Sequence, residues 1–389
     1  MNQTADALII GGGIHGCSLA FHLAEKGVKS IVLEKNVIAA GATGRSSGLV
    51  RMHYDNRPEA ELVWASFPYF QNWEERVGGD CGFTRTGFIQ LVAPEFTESL
   101  KNNILMHQDV GISTILITRD DVKRLAPSFF TEDIEFAAFE PESGYADANS
   151  TALAFMTRAK DLGAKIVQDC AVTGILSNDG KVSGVQTTQG DFSAPIVVNA
   201  AGPWADKVGE MVGLDIPLTT WQHDTMFVQR PLEIGSSHPT VIDNAHEMYF
   251  RPETGGLTLV GLEDNNPLGE DPDNNTDHAK PGFIERAIDR IIKRVPVMEK
   301  GGLHSAHGGY DGLTPDQRAI ISQAGPDGFF LVCGMSGTGF KIGPAVGASL
   351  SELIVDGTSK TVDLNPFRFS RFAEGDLIKG QHDYGDMWH

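Results

Sequence analysis

Three glycines and a carboxylate carry the first chemistry in this chain. Gly11, Gly13 and Gly16 follow the apolar run Ala7-Leu-Ile-Ile10, and Glu34 stands eighteen residues past the last of them. In that spacing Gly11 makes a tight turn, Gly13 lets the backbone approach a pyrophosphate, and Gly16 lets a helix pack against the preceding strand. The pyrophosphate then rests on the positive end of that helix, beside Ile14 and His15. Glu34, with Lys35 next to it, is placed to accept hydrogen bonds from an adenosine ribose. The chemistry is dinucleotide binding. The elements that must position these residues are a strand into Ile10, a helix over Cys17–Glu25 and a second strand over Lys29–Leu33.

Three further segments can reach the same ligand. Gly41-Ala-Thr-Gly-Arg-Ser-Ser-Gly48 is too rich in glycine and serine for a buried element, and its Thr43, Gly44, Arg45, Ser46, Ser47 and Gly48 are expected contacts. Pro195-Ile-Val-Val-Asn-Ala-Ala-Gly202 is an apolar strand ending in small residues. Ala200, Ala201 and Gly202, with Trp204 beyond them and Val172 earlier, are therefore assigned to a second close edge. Near the C-terminus a strand over Phe329–Cys333 opens into Gly334-Met-Ser-Gly-Thr-Gly-Phe-Lys341. A helix with Pro344 near its first position should follow and run to Gly357. Its dipole would face a ligand lying over Gly337, Thr338, Gly339 and Phe340. An isoalloxazine ring needs such a setting, because reduction places negative charge on its N1–C2=O edge.

Composition narrows the class. The chain has 389 residues, 41% of them hydrophobic, enough for one large composite domain or two. A net charge of −20 argues against nucleic acid or anionic lipid as partners. Met1–Asp6 carries no basic leader, and no apolar run reaches the roughly 18 residues of a membrane-crossing helix. The scattered Cys17, Cys81, Cys170 and Cys333 read as buried thiols in a reducing cytoplasm. His304 and His307 fall at helical spacing but lack flanking carboxylates, so no metal site is expected. Strand patterning is read over 87–93, a helix over Ala148–Asp161, and a meander through Val172–Leu176, Lys181–Thr187 and Ala194–Asn199, with a hairpin turn at Asp179-Gly180. Strands recur at Thr225–Gln229, Glu247–Phe250 and Leu257–Leu262, before a helix over Phe283–Val295. The dinucleotide unit is thus interrupted by β-rich segments. Residues 1–80, 145–210 and 305–370 are assigned to a discontinuous dinucleotide domain, 81–144 and 211–304 to a substrate domain, and 371–389 to a tail.

The motifs together resemble the D-amino-acid oxidase superfamily of flavoenzymes, and within it the sarcosine oxidase, glycine oxidase and proline dehydrogenase β-subunit branch. The resemblance rests on Gly11–Gly16 with Glu34, Gly41–Arg51, Thr86-Gly-Phe-Ile89, Gly144-Tyr-Ala-Asp147, Val198-Asn-Ala-Ala-Gly-Pro-Trp204, Thr314-Pro-Asp316 and Gly334–Lys341, in that order along nearly the whole chain. It implies an α/β (α+β) fold: a glutathione-reductase-like, Rossmann-type FAD domain joined to a substrate domain on a large antiparallel sheet. It also implies one FAD. Arg51 and Lys341 end the two glycine-rich segments nearest that flavin, and a guanidinium with an ammonium makes a good carboxylate receptor. In the sarcosine oxidase branch the matching Arg and Lys bind the substrate carboxylate. The implied reaction is oxidation of a C–N bond beside a carboxylate, with oxygen regenerating the flavin and yielding peroxide. Passing electrons to a partner subunit or quinone is the alternative, and a homo-oligomer stays open. Tyr249, Tyr54 and His53 are candidates for contact with the substrate, and His53 and His223 for tuning local charge. Two departures stand out. His307-Gly-Gly-Tyr-Asp-Gly312 offers no cysteine where that family tethers its flavin, so FAD should be noncovalent. Thr258 stands where the family has an oxygen-activating lysine.

Overall fold

Ala7-Leu-Ile-Ile10 is buried at every position, as befits a strand covered on both faces. It lies inside a six-stranded sheet of order 165–167, 30–33, 7–10, 197–199, 329–333 and 320–323. The first five strands are parallel and the last is antiparallel. The computed structural model describes residues 3–262 and 267–384. Alternation along each strand splits the side chains between two cores. Ala7, Ile9, Val32, Val198 and Val332 meet the helices Ile14–Glu25, Ala148–Asp161 and Gly339–Asp356. Leu8, Ile10, Ile31, Leu33 and Leu331 join Val182, Val185 and Phe192 of a four-stranded sheet on the opposite side.

An eight-stranded sheet forms the other half of the molecule, in the order 302–313, 219–229, 257–262, 248–253, 240–243, 88–91, 136–140 and 115–118. Its neighbours are antiparallel except 240–243 beside 88–91. One face packs under Phe283–Arg294, burying Phe283, Ala287 and Ile291 with Val260 and Phe250. The other face gathers Phe88, Ile242, Tyr249 and Leu259 with Leu49.

Three local readings need correction. The helix expected to start at Pro344 begins at Gly339, which leaves Pro344 inside it. Ser66 makes this tenable: its hydroxyl donates to Ile342 O at 3.0 Å and accepts from Ala345 N at 2.9 Å. The meander's third strand is Gly190–Ser193, whereas Val197–Asn199 crosses into the parallel sheet. His304 and His307 sit on the strand Gly302–Leu313, not on a helix. No cluster of potential metal ligands occurs among the described residues, and no helix there is long and apolar enough to cross a membrane. The tail docks on the body: Gln381 N donates to Asp55 O at 2.8 Å, and the buried Tyr384 hydroxyl meets His53 Nε2 at 2.7 Å. Residues 385–389 of that tail lie outside the described residues.

Candidate active site

The glycine turn does what its spacing requires. Gly11 has φ +111°, and a β-carbon there would sit 2.4 Å from Ala200 O. One on Gly16 would sit 2.0 Å from Gly11 O. Gly13 differs: a β-carbon there meets only Thr43 Oγ1, at 3.1 Å, so its missing side chain leaves room for a ligand. Glu34 braces the turn, accepting from Gly12 N at 2.7 Å and from Asn36 N at 2.8 Å. Thr43 Oγ1 accepts from Ile14 N at 3.0 Å and draws the second glycine-rich loop onto the helix start.

These segments enclose a cavity of about 460 Å³, within the ~300–1,000 Å³ of small-molecule sites. Gly11, Gly13, Ile14, His15, Glu34, Lys35, Thr43, Arg45, Ser46, Ser47, Val172, Ala200, Ala201, Gly202, Trp204, Gly337, Gly339, Phe340 and Lys341 all line it. Gly16, Gly44, Gly48 and Thr338 are not among its lining residues. Gly44 and Gly48 instead approach backbone, their β-carbon positions 2.4 Å from Ala39 O and 2.2 Å from Ala146 O. Burial pushes His15 down to about 4, so its imidazole is neutral. Lys35 Nζ lies 3.6 Å from the Trp204 ring centroid.

Arg51 and Lys341 converge in the same cavity. Both are buried, at 3% and 6% exposure. The Arg51 guanidinium carbon is 4.7 Å from the Tyr54 ring centroid and Lys341 Nζ is 5.5 Å from it. Arg51 Nε has no hydrogen-bond partner, and among the described residues no carboxylate pairs with Arg51 within 4.0 Å. A buried guanidinium left so is a strong receptor for an anion. Glu140, behind it, accepts from Met52 N at 2.8 Å and Ser143 Oγ at 2.6 Å. Burial pushes Glu140 up to about 7 against the pull of those bonds and of Arg51.

The remaining wall comes from the eight-stranded sheet. Tyr249 and His223 line the cavity, their rings stacked at 5.4 Å and 10° and joined by a bond between the Tyr249 hydroxyl and His223 Nε2. Trp221 packs edge-on to His223 at 4.5 Å. Tyr249 lies over Gly261, where a β-carbon would come 2.1 Å from its Cζ. Tyr54 and His53 do not line this cavity. They border a much smaller pocket that shares Arg51 and Ile242 with the cavity, with Asp55, Gln90 and Tyr384. Thr258 is also elsewhere: buried, it meets His238 Nε2 at 2.9 Å, while Leu259 joins the cavity-side cluster.

Asp311 escaped the sequence reading. It accepts from Gly337 N at 2.6 Å and from Gly312 N at 2.8 Å, which fixes the turn ahead of the helix Gly339–Asp356. Gly337 has φ +82° and open space at its β position. The first residues of that helix, Gly339–Lys341, line the cavity, so its positive end faces whatever binds there.

An FAD fits this set. The glycine turn and Thr43 loop would hold its pyrophosphate, Glu34 its ribose, and the helix start at Gly339 its isoalloxazine.

Comparison with known proteins agrees. The family model "FAD dependent oxidoreductase" (DAO) matches residues 6–353. Mouse mitochondrial sarcosine dehydrogenase is 30% identical over 95% of this chain and 42% of its own length. The β subunit of sarcosine oxidase from Arthrobacter sp. is 27% identical over 97% of this chain and 93% of its own. The crystal structure of L-proline dehydrogenase from P. horikoshii superposes with a TM-score of 0.90 at 27% identity, covering 97% of this chain and 100% of that one. The chain thus spans about two-fifths of the mouse dehydrogenase and nearly all of the other two. With a glycine cradle, a ribose-side carboxylate and a helix start all meeting in one cavity, this chain belongs to the DAO family of FAD-dependent oxidoreductases.

Proposed function

We propose that the protein oxidises the C–N bond of a small secondary, N-methyl or cyclic amino acid, of the sarcosine, proline or pipecolate kind, to an imine that water then hydrolyses. The convergence of Arg51 and Lys341 in the cofactor cavity carries this reading. Bound FAD would supply the two-electron acceptor. The chain's own residues do the rest. Arg51 and Lys341 hold the carboxylate, and the Tyr249–His223 pair orients the amine. Leu49 and Ile242 line the same cavity and exclude water, so an amine that sheds its proton on binding needs no strong protein base. Positioning supplies most of the rate. The names of the three relatives support the substrate class.

Oxygen as final acceptor, releasing hydrogen peroxide, is the first reading of the second half-reaction. Transfer to a partner protein is the other, and the dehydrogenase names among the relatives favour it. One experiment tests both. Sarcosine, L- and D-proline, L-pipecolate, glycine and D-alanine are added anaerobically, the flavin absorbance is followed, and air is then admitted. Bleaching followed by fast recovery marks an oxidase. Bleaching with slow recovery marks a dehydrogenase lacking its partner. No bleaching by any of them overturns the substrate class.

FAD is proposed to be noncovalent. Cys170 and Cys333 line the cavity and both are buried, and burial pushes the Cys333 thiol up to about 12, which disfavours its thiolate. Acid precipitation should leave a colourless pellet and a yellow supernatant.

A further inference from the structure

Three cations that line the cofactor cavity, Lys35, Arg45 and Lys207, come from the side of the parallel sheet. Each is met by an aspartate from one short stretch between the strand Leu257–Leu262 and the helix Phe283–Arg294. Lys35 pairs with Asp273 at 2.6 Å, Arg45 with Asp277 at 3.3 Å, and Lys207 with Asp271 at 3.2 Å and Asp273 at 3.8 Å. Asp273 also accepts from Trp204 Nε1 at 2.9 Å, and Asp273 itself lines the cavity. The start of the stretch is fastened to the eight-stranded sheet. Glu270 accepts from Lys280 Nζ at 2.6 Å and from the Tyr310 hydroxyl at 2.6 Å, and Gly269 N donates to Thr220 O at 2.8 Å.

We propose that Asp271–Asp277 is a latch on the cofactor: pinned at Glu270, it closes the nucleotide side of the cavity through four ion pairs, and FAD enters or leaves when they part. The proposal rests on FAD occupying this cavity, not on the amine chemistry. The aspartates are more than half exposed, so each pair is individually weak and screened by salt. Such contacts suit a closure that must open. They hold by number, across two halves of the fold.

The test is FAD release from the holoprotein, followed by the rise in free-flavin fluorescence on dilution, at low and high salt. The substitutions Asp271→Asn, Asp273→Asn and Asp277→Asn together keep the shape and remove the charge. Release at low salt should quicken roughly tenfold, the combined effect of four surface pairs, and salt should no longer accelerate it. Glu98→Gln, which removes the distant Lys101–Glu98 pair at 2.7 Å, should release FAD like the parent and keep its salt dependence. An unchanged apoprotein melting temperature confirms that the triple variant folds. The latch is overturned if that variant releases FAD at the parent rate, or if its release still quickens with salt as the parent's does. Bleaching by amino acids is read separately, so a failed latch leaves the substrate reading intact and the reverse holds too.

Discussion

Arg51 is the residue on which the substrate reading turns, because its guanidinium is buried with an unpartnered Nε and no paired carboxylate among the described residues. Arg51→Ala or Lys341→Ala should lower kcat/KM by the equivalent of about 2–5 kcal/mol while the bound-FAD spectrum survives, since each removes one side of a buried charge pairing with substrate. Steady-state kinetics on the bleaching amino acid reads this, and unchanged kcat and KM would remove both residues from the site. Gly261→Ala tests the opposite wall. Its new methyl would overlap the Tyr249 ring, 2.1 Å from Cζ, so the Tyr249–His223 pair must shift. Activity should fall with FAD still bound; full activity would dismiss Tyr249 as a substrate contact. The position of Arg51 and Lys341 at the cavity was legible in the sequence because each ends a glycine-rich segment. His53 and Tyr54 show the limit of that logic, since closeness in sequence gives no direction: His53 turns to Tyr384 and Tyr54 packs beneath both cations. Asp311 had no local signature at all. Its role exists only because Gly337, 26 residues on, is folded against it.

At the scale of elements, the helix Gly339–Asp356 shows how a long-range contact changes a local rule. Proline favours a first helical position, where its missing N–H costs nothing, and that preference placed the start too late. In the fold the helix runs through Pro344 because Ser66, on the helix Arg57–Gln71, supplies both a donor and an acceptor at the irregularity. No reading of residues 334–357 alone could include Ser66. The start matters for function, because beginning at Gly339 puts Lys341 in the first turn and aims the dipole into the cavity. Ser66→Ala should therefore destabilise the protein by about 1–3 kcal/mol, the cost of leaving Ala345 N and Ile342 O without their partner in a dry interior. A lowered denaturant midpoint with weaker FAD binding is the expected result. Unchanged values for both would mean the helix start is held by something else. Three elements were easier, since Ala148–Asp161, Leu257–Leu262 and Phe329–Cys333 carry their own periodicity and end where their sequence patterns end, whereas the strand read over Thr225–Gln229 starts at Thr219 and that read over Glu247–Phe250 runs Met248–Glu253.

For the whole molecule, burial of neutral histidines sets a pH limit that a count of charges could not show. His15, His22, His107 and His238 are each pushed down to about 4, chiefly by burial. The contacts of His238 fit the neutral form: Nδ1 donates to Pro239 O at 2.8 Å while Nε2 accepts from the Thr258 hydroxyl at 2.9 Å. His22 is arranged likewise, between Ser18 O at 2.8 Å and the Tyr69 hydroxyl at 3.0 Å. Between their ordinary value of 6.5 and about 4, the unfolded chain binds protons that the folded chain refuses. Stability must then fall as pH falls through that window, by about 1.4 kcal/mol per pH unit for each histidine. Glu140 works the other way. Raised from 4.5 to about 7, it takes up a proton in the fold as pH falls through that range, and burial raises Glu25, Glu59 and Asp311 in the same sense, against five lowered histidines once His307 is included. The urea midpoint should accordingly drop between about pH 7 and about pH 5, and substituting Glu140 by Gln should deepen the drop, because its opposing proton uptake is gone. A midpoint that holds steady or rises toward pH 5 would mean that these histidines are charged in the fold, and the hydrogen-bond pattern assigned to His22 and His238 would have to be redrawn.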